Sequence, residues 1–112
     1  MAFLALASQK SLLMLQKNFL LLQYTSISNQ NQQALAKMSA IERNYAAMGD
    51  DAPDYTEDPD FIYFEELSNQ LETEKDSIDS QLTAIDNEIS GLKTLVNNNI
   101  KSSCTLNITG GG

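Results

Sequence analysis

Read in steps of three and four, the first half of the chain gives Phe3, Leu6, Lys10, Leu13, Lys17, Leu20, Tyr24, Ile27, Asn31, Ala34, Met38, Ile41, Tyr45 and Met48. This heptad seam, broken by Lys10, Lys17 and Asn31, is the pattern of a helix lying along another helix. It predicts helix one over about residues 3–48, on the order of 65 to 70 Å long at 1.5 Å per residue. Residues 49–60 break the repeat with both prolines, Pro53 and Pro59, and six acids. They read as the connecting loop over 49–58, with Gly49 suited to the position just past a helix C-terminus. Asp58 and Pro59 form a good N-cap and first-turn pair, and Asp60, Glu65 and Glu66 complement the positive end of a new helix.

Helix two is predicted over about 59–101, with apolar positions at Phe64, Leu67, Leu71, Ile78, Leu82, Ile85, Ile89, Leu92, Val96 and Ile100. Several of these recur at eleven residues, which favours a nearly straight helix over a strongly supercoiled one. Gly91 is either a cost of about 1 kcal/mol against alanine or a place where helices approach closely. Asn97 to Asn99 weaken the end. Beyond them Cys104, Leu106 and Ile108 alternate with polar residues and three glycines close the chain, so residues 102–112 are expected to be extended or disordered.

The resulting fold class is all-α: one long antiparallel two-helix hairpin, coiled-coil-like, in a single domain. The expected intrachain seam is Leu13, Leu20, Tyr24, Ile27 and Ile41 on helix one against Leu82, Ile85, Ile89, Leu92 and Val96 on helix two. Charge supports the pairing. Residues 1–48 carry four bases and one acid, whereas residues 49–112 carry fourteen acids and three bases, within a net charge of −8. The two halves are electrostatic complements.

Helix one has more apolar residues than one partner helix can cover. Beside the seam lies a second stripe, Ser8, Leu12, Leu15, Phe19, Leu22 and Ser26, with Met14 and Leu21 extending it round the helix. Burying a Leu or Phe is worth about 1.5 to 3 kcal/mol, so four left exposed together favour association. The alternative is that helix two, or a folded-back tail through Leu106 and Ile108, covers the stripe within one chain. Leu12, Leu15, Phe19 and Leu22 are therefore the expected self-association or partner-binding residues, and oligomerisation is expected to complete the core.

Other chemistry finds little support. The 112 residues contain no histidine, so neutral-pH acid–base chemistry lacks its usual side chain. There is no glycine-rich phosphate loop or nucleophile elbow, and a two-helix scaffold offers no water-excluding pocket, so no enzyme activity and no cofactor are expected. The acidic loop lacks the spacing of an EF-hand and reads as a solvated tip. The single Cys104 excludes an internal disulfide and a cysteine zinc cluster. Scattered bases on an acidic chain make nucleic acid a poor partner, and a membrane-surface role would want a basic polar face. Met1 to Gln9 has no leading base, and Lys10 and Lys17 interrupt the apolar run beyond it, so neither a cleavable signal nor a spanning helix is expected.

A long hairpin with an acidic, proline-containing turn at Pro53 and Pro59 and an amide-rich end at Asn97 to Lys101 resembles the small helical-hairpin subunits of bacterial type III secretion needles and flagellar-type filaments. The crowded apolar first helix departs from that pattern. WXG-type secreted hairpins are less similar, because this chain has no tryptophan and carries Met48-Gly49-Asp50 at the bend. The resemblance implies a non-enzymatic structural subunit that assembles, in the extreme into a filament. The second expectation is an adaptor or export chaperone that binds a partner helix, and the sequence leaves localisation open.

Overall fold

Helix formation needs a run without proline and with the cost of each backbone residue offset by packing along one face. The chain offers two such runs. The computed structural model describes the backbone of residues 2–110 and the side chains of residues 5–95, Asn97 and Asn98. Within it, α1 spans Ala2–Ala47 and α2 spans Pro59–Gly110, with a short 3-10 helix at Tyr55–Glu57 between them. The protein is an all-α helical hairpin, and no strand occurs among the described residues.

The turn between the helices is built from local hydrogen bonds. Gly49 has φ +92, the left-handed region open to glycine, and its N–H donates to the Ala46 carbonyl while Met48 N–H donates to Tyr45. Asp58 caps α2: its Oδ1 accepts from the N–H groups of Asp60 at 2.8 Å and Phe61 at 3.4 Å. Asp50, Asp51, Asp54, Glu57 and Asp60 are exposed, as expected of a solvated acidic tip, and Asp58 is half-buried in its capping role. Tyr55 packs edge-on between Tyr45 and Phe61, with ring centroids 6.5 and 5.1 Å away, and the Tyr45 hydroxyl donates to Asp58.

At its far end α2 differs from the expectation of an extended tail, continuing as helix through residues 102–110. Val96, Ile100 and Cys104 recur every fourth residue, and no proline intervenes before the terminal glycines. Three alternating positions are too few to outweigh that continuation. The side chains of Val96, Cys104, Leu106 and Ile108, and that of Phe3, lie outside the described residues. At Gly91 a Cβ would meet nothing within 4 Å, which removes the close-approach reading and leaves the local cost of a glycine inside a helix.

Packing divides the hairpin into two units, Leu22–Asp79 and Met1–Leu21 with Ser80–Gly112. In the first, Ala34, Phe61, Leu71 and Ile78 are buried. Asn31 and Ser68 are buried with them, and they are paired: Ser68 Oγ donates to Asn31 Oδ1 at 2.6 Å, and Asn31 Nδ2 donates to Glu72 Oε1. The polar break in the heptad at Asn31 is therefore a cross-helix lock, which sets which residue of α1 lies opposite Ser68 and Glu72. Tyr24, Ile27 and Ile41 are half-buried in the same unit, and the Lys75 ammonium sits 5.6 Å from the Tyr24 ring centre.

In the second unit the seam residues Leu13, Leu20, Leu82, Ile85, Ile89 and Leu92 are half-buried. None of its described side chains is fully buried. Lys17 Nζ reaches Asp86 Oδ1 at 2.7 Å across the two helices, a pair exposed enough to be worth only about 0 to 1 kcal/mol.

Two outcomes test this reading of the first unit. Asn31→Ala leaves the buried Ser68 hydroxyl unpaired and should cost about 1 to 3 kcal/mol, whereas Asn31→Leu with Ser68→Ala removes both groups and should be nearly neutral, as read by urea unfolding. An equal cost in both variants would show that volume, not pairing, matters at Asn31.

The second outcome concerns pH. The Tyr45 hydroxyl and the Asp60 N–H hold the Asp58 carboxyl below the ordinary carboxylate range, and Thr56 does the same to Asp54. These contributions are present above pH 3.8, the unperturbed value, and are lost as pH falls through the lower folded values. The hydrogen bond to Asp58 raises Tyr45 above 10.0, so that contribution is present below pH 10.0 and lost as pH rises further. The near-ultraviolet circular dichroism of the tyrosine cluster should fade at both extremes, and Asp58→Ala should flatten its acid limb. An unchanged acid limb in that variant would remove Asp58 from the account.

Candidate self-association surface

On a helix of about 100° per residue, the stripe Leu12, Leu15, Phe19 and Leu22 lies about 130° round α1 from the seam positions Leu13, Leu20, Tyr24 and Ile27. A single neighbouring helix cannot reach both. The structure leaves the stripe uncovered: Leu12 is 60% exposed, Leu15 68% and Phe19 61% within the second unit, and Leu22, the first residue of the other unit, is 71% exposed. Since α2 continues as helix to Gly110, its tail does not turn back over α1. Met14 and Leu21 are also exposed and widen the apolar surface.

The exposed side chains form the wall of a groove. One stretch of about 440 Å³ is lined by Leu15, Gln16, Phe19 and Leu20 of α1 and by Gln81 and Ile85 of α2. A second, of about 500 Å³, is lined by Gln9, Leu12, Leu13 and Gln16 and by Glu88, Gly91, Leu92 and Leu95. Both stretches are open and apolar, and Gln16 borders each. The missing side chain of Gly91 helps open the floor.

Leu95, 52% exposed, belongs to this surface although the apolar spacing of helix two does not include it. Its signal lies three residues after Leu92, a half-buried seam position, and is obscured by the nearby glycine and the asparagine run. Of the expected seam partners on α2, Leu92 and Ile85 reach the groove, Leu82 and Ile89 stay in the half-buried seam, and the Val96 side chain is outside the described residues.

The chemistry on offer is shape and apolar area. Among the described residues no group of three or more His, Cys, Asp or Glu side chains could hold a metal ion, and no helix is long and apolar enough to cross a membrane. A groove between two helices with apolar walls and a few amides at its edge suits a third helix laid along it. No family model, no curated protein and no solved structure matches the chain.

Proposed function

We propose that this protein is a non-enzymatic structural subunit that self-assembles through the stripe Leu12, Leu15, Phe19 and Leu22. The observation that carries the reading is the contrast between the two sides of α1. The seam side is half-buried against α2, and the stripe side holds four large apolar residues that are each at least 60% exposed. Each Leu or Phe withdrawn from water contributes about 1.5 to 3 kcal/mol, so covering the stripe in several copies outweighs what the exposed ion pair supplies. A chain without histidine, with an open groove among its described residues, is better suited to this than to catalysis.

Substitution separates folding from association. Phe19→Asp should leave the far-ultraviolet helix signal within about a tenth of the parent and abolish association, whereas Leu20→Asp, in the half-buried seam, should lose most of the helix signal. Light scattering coupled to size exclusion reads the first effect and circular dichroism the second. Equal loss of helix in both variants contradicts the division of α1 into seam and stripe. A parent protein that stays monomeric at every concentration reassigns the stripe to a partner helix and makes the chain an adaptor, and negative-stain images of an assembled parent separate closed oligomers from filaments.

A further inference from the structure

We draw no further inference here: the strongest candidate, the open apolar groove walled by Leu12, Leu15 and Phe19 of α1 and by Ile85 and Leu92 of α2 and bordered by Glu88, belongs to the surface already described, and nothing in the structure shows what covers it.

Discussion

A helix is a cylinder, and one neighbouring helix can cover only a stripe along it. Everything particular to this protein stems from a chain that puts apolar side chains on more than one stripe of α1 while supplying one partner, α2. The seam from Leu13 to Ile27 is the part that α2 satisfies. The leucines and phenylalanine about 130° away face water, at a cost that scales with their area. Small helical scaffolds bury too little of their surface to stand on a single seam with much margin, and a second copy is one way to complete them.

The two packing units meet that constraint differently. Leu22–Asp79 closes on itself: Phe61, Leu71, Ile78 and Ala34 are buried, the Asn31–Ser68–Glu72 lock fixes the pairing of the helices, and a tyrosine cluster seals the turn. The other unit has a half-buried seam, one exposed ion pair and an open apolar groove. Magnitudes decide which feature governs it. An exposed pair such as Lys17–Asp86 contributes at most about 1 kcal/mol, while each uncovered Leu or Phe represents about 1.5 to 3. Charge complementarity between the halves of the sequence thus biases the pairing, and the apolar side chains set the energy at stake.

Much of this was legible in the residue pattern, because a heptad is a geometric statement about which side chains share a face. The two helices, the cap at Asp58 and Pro59, the glycine after α1 and the separation of Leu20 from Phe19 all come from local spacing. What the pattern hid was pairing that spacing does not encode. Asn31 reads as a flaw in the seam until Ser68 and Glu72 are placed opposite it, and Tyr55 reads as loop until the turn folds it between Tyr45 and Phe61. Leu95 was masked by Gly91 and the asparagines beside it. At the C-terminus a short alternation suggested an extended tail, and the longer four-residue recurrence kept the chain helical to Gly110.

Self-association through the stripe, as proposed, requires that the unit packing α1 through Leu21 against α2 from Ser80 gain its missing burial from a partner. Amide hydrogen exchange followed by mass spectrometry across a protein concentration series tests this directly, since binding stabilises by mass action and local opening is read segment by segment. Protection over residues 5–21 and 80–95 should rise with concentration, while that over the buried segment around Leu71 and Ile78 should change little. Protection over residues 5–21 that is independent of concentration would contradict the account.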